Sequence, residues 1–198
     1  LQGPASLDFS GRLNLEEGIP KDIEVEKLIL NLDDTNIGSL GWIEKTAPSA
    51  FALNMHGDIQ LPTNEKRFSY RFNDNNIDYG PLKVTFALSS TENSSFFLKW
   101  NILKTDIAGV QLPFSYFKDI PVKGSLEFSG EYKNHPSGDQ IGAWRISLNN
   151  MLIPMRAIPG LNPKNSSGDA LVSMISQGTY TNGTVLSPGF EIQINANT

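Results

Sequence analysis

The sequence predicts an all-β protein of about ten mainly antiparallel strands in a curled, twisted sheet or sandwich, with one or two short helices. Three observations predict it. Leu7-Asp-Phe-Ser-Gly11 is nearly repeated as Leu126-Glu-Phe-Ser-Gly130, and a looser copy, Phe51-Ala-Leu-Asn-Met-His-Gly-Asp-Ile-Gln-Leu61, lies between them. With Gly11, Gly57 and Gly130 aligned, apolar residues hold one parity and polar residues the other, the period of a strand with one apolar and one wet face. Similar stretches recur along the chain, and most are separated by Asn/Asp/Gly/Pro/Ser clusters too short for crossover helices, which implies antiparallel neighbours.

Taken in order, Leu7, Phe9, Leu13 and Leu15 alternate with Asp8, Ser10, Arg12 and Asn14 as a first strand, and Gly18-Ile-Pro-Lys-Asp22 turns the chain. From Ile23 to Asp33 the apolar parity changes at Lys27, which predicts a bulge or bend. Asp34-Thr35 stand as an N-cap before Ile37, Leu40, Trp42 and Ile43, predicting two helical turns that end before Pro48. Strands follow over 51–61, 68–72, 82–88 and 96–103, with a polar turn at Asp74–Asp78. Pro113–Lys118 is the second expected helical turn and leads into the strand Pro121–Tyr132. Ala143–Leu152 alternates again, and a long polar loop is expected over Pro154–Asp169. Asn182-Gly183 predicts a type I′ hairpin turn, and Phe190, Ile192 and Ile194 close the chain as a last strand.

The chain's 198 residues suffice for one buried core, so a single β domain over 1–198 is expected. The net charge of −5 and the absence of a basic block give binding to a nucleic-acid backbone no electrostatic support. With no cysteine there are no disulfides and no Cys-based zinc site, and the redox compartment stays open. No apolar run approaches the roughly 18 residues of a spanning helix. The chain starts at Leu1 without Met, so it is expected to be the soluble portion of a longer protein. Asn93, Asn165 and Asn182 begin Asn-x-Ser/Thr triplets, as an Asn-rich and Ser/Thr-rich chain does by chance.

Chemistry is thinly represented. His56 falls on the polar face of its strand and His135 in a turn, far apart in sequence and with no Cys near either. Asp74, Asn76 and Asp78 have the spacing of calcium ligands, but Tyr79 stands where such a loop needs Gly, and the closing Glu is missing. Glu16-Glu17 and Asp33-Asp34 are adjacent, and adjacent strand residues face opposite ways. No nucleophile elbow, phosphate loop or dinucleotide fingerprint occurs, so no enzyme activity, metal or cofactor is expected. Trp100 and Trp144 share the parity of the aliphatic residues in their strands, which places them with the core rather than on a sugar-stacking face.

The units Ala5-Ser-Leu-Asp-Phe-Ser-Gly-Arg-Leu-Asn-Leu15 and Gly124-Ser-Leu-Glu-Phe-Ser-Gly130 resemble the glycine-punctuated alternating repeats of AsmA-like periplasmic β proteins. They look most similar to the N protein of type II secretion systems, in which comparable strands precede segments like Trp144–Pro154 and Gly178–Val185. The resemblance implies a periplasmic sheet tethered to the inner membrane by an anchor outside this chain. It implies partners among envelope or secretion-system proteins, contact with phospholipid, and no catalytic residues. The chain departs from the pattern in its long Pro154–Asp169 loop and in lacking the N-terminal portion typical of the secretion family.

The expected function is a non-enzymatic cell-envelope scaffold or accessory component of a secretion or transport machine, with an apolar binding face carrying Phe9, Met55, Leu126, Phe128 and Trp144. The alternatives are a carbohydrate-binding β-sandwich, an AsmA-like lipid carrier and an outer-membrane barrel. The bulk of Phe9, Phe51, Phe86, Phe128 and Trp144 favours a filled interior that confines lipid to an open end.

Overall fold

The computed structural model describes residues 2–40, 43–45, 50–64, 66–79, 82–91, 95–106, 123–154 and 168–196. These residues are all-β. A ten-stranded sheet is built in strict chain order from β1 (Ser6–Glu16), β2 (Ile19–Asn31), β5 (Phe51–Gln60), β6 (Ser69–Tyr79), β7 (Leu82–Ser90), β8 (Phe96–Asp106), β9 (Lys123–Asn134), β10 (Gln140–Pro154), β11 (Asp169–Thr181) and β12 (Thr184–Ala196). Each strand is antiparallel to the next. Between β2 and β5 the chain makes a separate two-stranded sheet, β3 (Ile37–Leu40) with β4 (Ile43–Lys45).

The three longest connections lie at one end of the sheet, beside the two-residue connection 80–81, and the eight-residue connection 61–68 lies at the other. Residues 17–18 and 182–183 are tight turns at one end, whereas 32–50, 107–122 and 155–168 all join strands at the other. The tight turns follow from their residues. Glu17 and Gly18 have φ of 52° and 81°, and Asn182 and Gly183 have 47° and 86°, the left-handed pairs that a two-residue hairpin needs and that Asn-Gly adopts readily.

Bulges interrupt every strand pairing except that of β7 with β8, where the register runs unbroken. The expected bulge in β2 is present: Ser10 pairs with Lys27 but Gly11 with Val25, leaving Glu26 as the extra residue. This is why the apolar parity of β2 changes at that point. Each bulge bends its strand and adds local twist.

One expected helix is corrected, and two further expectations fall outside the described residues. The segment after Asp34-Thr35 is the β3–β4 hairpin and not a helix. The Thr35 hydroxyl donates to the Pro4 carbonyl instead of capping a helix, and Gly38 weakens a helix there. The second expected helical turn, Pro113–Lys118, lies outside the described residues, as does nearly all of the expected Pro154–Asp169 loop.

The Asp74–Asp78 polar turn is instead the second half of β6. Asp74 takes a φ of 52° at a bulge, and the wholly buried side chain of Asn75 replaces the missing ladder bonds. Its Oδ1 accepts from the His56 amide at 3.0 Å and its Nδ2 donates to the Phe86 carbonyl at 3.2 Å.

Nor do the described residues fill an interior. The described strands pack substantially only on their sheet neighbours, so they form one layer and not a sandwich. The large residues expected to fill a core lie side by side along one face. The buried apolar cluster is at the long-connection end, where Leu82, Leu126 and Met151 pack with Tyr79, Ile102 and Phe128 against them.

Candidate functional site

The residue-by-residue register shows that the apolar parities of all ten strands fall on one face. Leu7 stands opposite Leu30, and the row continues through Leu53, Ile77, Val84, Ile102, Phe128 and Ile146 to Ser176 and Phe190. A neighbouring row runs Phe9, Leu28, Met55, then Asn75, Phe86, Trp100, Gly130, Trp144 and Gly178. Directly opposed residues on a sheet share a face, so these rows are physical ridges across it.

All five residues expected to form the binding face lie on it, in two groups. Phe9 and Met55 flank Leu28 near one edge, and Leu126, Phe128 and Trp144 sit together on β9 and β10. Met55 and Phe128 are four strands apart, roughly 19 Å at ordinary strand spacing. Between them stand Phe86 and Trp100. Trp100 and Phe128 have ring centroids 5.9 Å apart, which joins the groups into one aromatic surface. Phe86 and Trp100 belong to the same face, and their parity within β7 and β8 was the signal that assigned them to it.

Exposure grades across the face. Leu126 is 9% exposed, Met55, Phe128 and Trp144 are half-buried, and Phe9 is 55% exposed at the β1 edge. At the opposite edge Phe190 reaches 69%.

Two glycines shape the centre. A Cβ on Gly130 would lie 2.3 Å from Cζ2 of Trp100, and one on Gly178 would lie 2.7 Å from Cζ2 of Trp144. Each tryptophan therefore lies flat across the glycine of the next strand, which only a residue without a side chain allows. The Trp100 indole Nε1 is buried without a hydrogen-bond partner among the described residues, so packing holds the ring.

The opposite face is mainly polar, though Ile29, Phe97, Ile141 and Ile175 lie on it. Asn54, Asn76, Thr85, Asn101, Ser129 and Arg145 make one row of it. Around Gly130 and Ala143 it dips into an open depression of about 420 Å³ rimmed by Lys99, Glu131 and Arg145.

The titratable groups are dispersed. His56 is exposed beside the β5 bulge, and His135 lies in the β9–β10 turn, its amide donating to the Asp139 carbonyl at 2.7 Å. Glu16 pairs with Lys21 at 3.0 Å, and this hydrogen bond and charge hold the Lys21 ammonium above its ordinary range. Asp33 Oδ1 accepts from the Phe51 amide at 2.6 Å, tying together the ends of the 32–50 connection. Asp139 is held below the usual carboxylate range, first by the Ser137 hydroxyl and then by the Asn182 amide. Asp74, Asn76 and Asp78 lie along strand β6 and do not form a ligand loop; Asn76 donates to Asp78 at 2.7 Å. Among the described residues no group of three or more His, Asp or Glu side chains could hold a metal ion, and no helix is long and apolar enough to cross a membrane.

The arrangement can therefore hold an apolar partner over a broad surface. The face spans roughly 25 Å along the strands and roughly 43 Å across ten of them, about 1,000 Å² in plan. Two rival architectures fit poorly. A jelly roll needs two layers, and a closed barrel needs β1 to meet β12, whereas these strands are the two ends of the sheet order. Compared with family models, with curated proteins and with solved structures, the chain has no significant match to any of them.

Proposed function

We propose that the chain is a non-enzymatic scaffold of the bacterial cell envelope, an accessory component of a secretion or transport machine similar to the type II secretion N protein. It works through the apolar face of its sheet, which receives phospholipid acyl chains. What supports the reading is one observation: ten strands present most of their apolar residues on one face, and no second layer of described strands covers it. An acyl chain needs only a dry, non-directional surface, and rows of Leu, Ile, Phe and Trp supply one at about 25 cal/mol per Å² removed from water. In the parent protein the sheet stands in the periplasm, tethered to the inner membrane from outside this chain. The same opening favours a second reading, an AsmA-like lipid carrier, which differs by moving lipid between membranes.

Native mass spectrometry of gently purified protein tests the proposal. The expected result is stoichiometric phospholipid, at least halved by Phe9→Asp, a change at an exposed position of the face. Lipid-free protein whose capture of envelope partners is indifferent to Phe9→Asp would overturn the assignment of this face. Lipid transfer between vesicles by the isolated chain would favour the carrier reading.

A further inference from the structure

Among the described residues, the two edges of the sheet are as open as its face. β1 is exposed along its whole length, and β12 from Thr184 to Asn195. An uncovered edge strand is a template for pairing unless charges or prolines guard it. On β1 the charges are already neutralised from β2, Asp8 by Lys27 and Arg12 by Glu26 at 2.8 Å. On β12 the only proline is Pro188, and from Phe190 to Ala196 a single charge, Glu191, interrupts the strand.

Direction and register both fit a second copy. With ten strands in strict antiparallel order, the first and last run in opposite directions. A copy laid beside the first with the same face up therefore brings its β1 antiparallel to β12. Within the sheet, Trp100 covers Gly130 and Trp144 covers Gly178 from neighbouring strands. Gly11 belongs to the near-repeat of the Gly130 segment; a Cβ there would lie 2.5 Å from the Glu24 carbonyl oxygen of β2 and 3.3 Å from Cζ of Phe9 on its own strand, and no described strand lies on its other side. β12 offers one aromatic, Phe190. Placed opposite Gly11 of the next copy, it sets Ile192 against Phe9 and Ile194 against Leu7 on the apolar face. On the wet face it brings Glu191 diagonal to Arg12.

We infer that β12 of one copy pairs antiparallel with β1 of a second copy, Phe190 lying across Gly11, so that the apolar face continues from one molecule into the next. The contact is head-to-tail. It leaves a free β1 and a free β12 at the ends of any row, so species grow with concentration unless the curl closes a ring.

The chain has no cysteine, which makes disulfide trapping clean. Mixing Leu7→Cys protein with Ile194→Cys protein under mild oxidation should give mixed dimers in several-fold excess over either self-pair. A statistical mixture, or dominant Leu7→Cys self-pairs, would overturn the register. For the unmodified chain, analytical ultracentrifugation should show association that rises with concentration. Ile192→Lys should weaken it about tenfold with an unchanged circular dichroism spectrum. Leu103→Lys, at an exposed position far from both edges, should leave it unchanged. A strictly monomeric chain up to about 100 μM, or equal weakening by both lysines, would overturn the proposal.

Discussion

Replacing Gly130 with alanine would place a methyl carbon 2.3 Å from Cζ2 and 2.7 Å from Cε2 of Trp100, and 2.8 Å from the carbonyl oxygen of Ala143. The carbonyl belongs to the β9–β10 ladder and cannot retreat without breaking it, so the indole must move. A tryptophan buries about 150 to 250 Å², and losing roughly a third to a half of that contact costs about 2 kcal/mol at 25 cal/mol per Å². Residual overpacking adds about 1 kcal/mol, for a total of about 2 to 4 kcal/mol. In a chain of this size that is a fall of roughly 5 to 12 °C in Tm. Urea denaturation followed by circular dichroism measures it. Gly142→Ala is the control, because its nearest obstacle is the Glu131 carbonyl oxygen at 3.1 Å, and it should cost less than about 1 kcal/mol. Adding Trp100→Leu to Gly130→Ala should recover part of the loss, since the two residues share one clash. If Gly130→Ala falls within about 0.5 kcal/mol of the parent, or costs no more than Gly142→Ala, the reasoning that glycine is there to seat the tryptophan is refuted.

Asn75→Leu should destabilise by about 2 to 4 kcal/mol despite its greater apolarity, because the His56 amide and the Phe86 carbonyl are left without the side chain that bridges the bulge; a thermal melt equal to the parent's would show that the bulge needs no plug. The Asp139 carboxyl titrates below its ordinary 3.8, so its contribution to stability is present above the unfolded value and fades as pH falls through the folded one. Ser137→Ala should move that titration upward toward 3.8, as read from the carboxyl carbon by NMR; no movement would mean the Asn182 amide alone sets it.

Much of the architecture is local and was therefore legible. Period-two alternation assigns the strands and their faces, because side-chain direction in a strand depends only on parity. The parity change at Lys27 located the β2 bulge for the same reason, and Asn182-Gly183 specified its turn through the cost of a positive φ. Phe9, Met55, Leu126, Phe128 and Trp144 could each be assigned to the apolar face of its own strand before any strand was paired, since parity alone fixes side-chain direction. The hairpin at Ile37–Lys45 was not legible. An Asp-Thr cap signal is real, but the Thr35 hydroxyl is taken by Pro4, a residue 31 positions away. The course of β6 was missed because a polar run reads as a turn unless one sees that Asn75 is buried and bonded to two other strands.

What the sequence by itself determined, then, is that the chain alternates, that its strands are antiparallel neighbours, and which side chains share a face, all of which follow from short-range stereochemistry. What only the tertiary structure decided is how those strands are assembled: one open layer instead of two packed ones, with tryptophans seated on the glycines of adjacent strands and two edges that no described strand pairs. Whether an apolar face folds back on itself depends on the accumulated twist of ten strands and on where their bulges fall, and no single strand carries that sum.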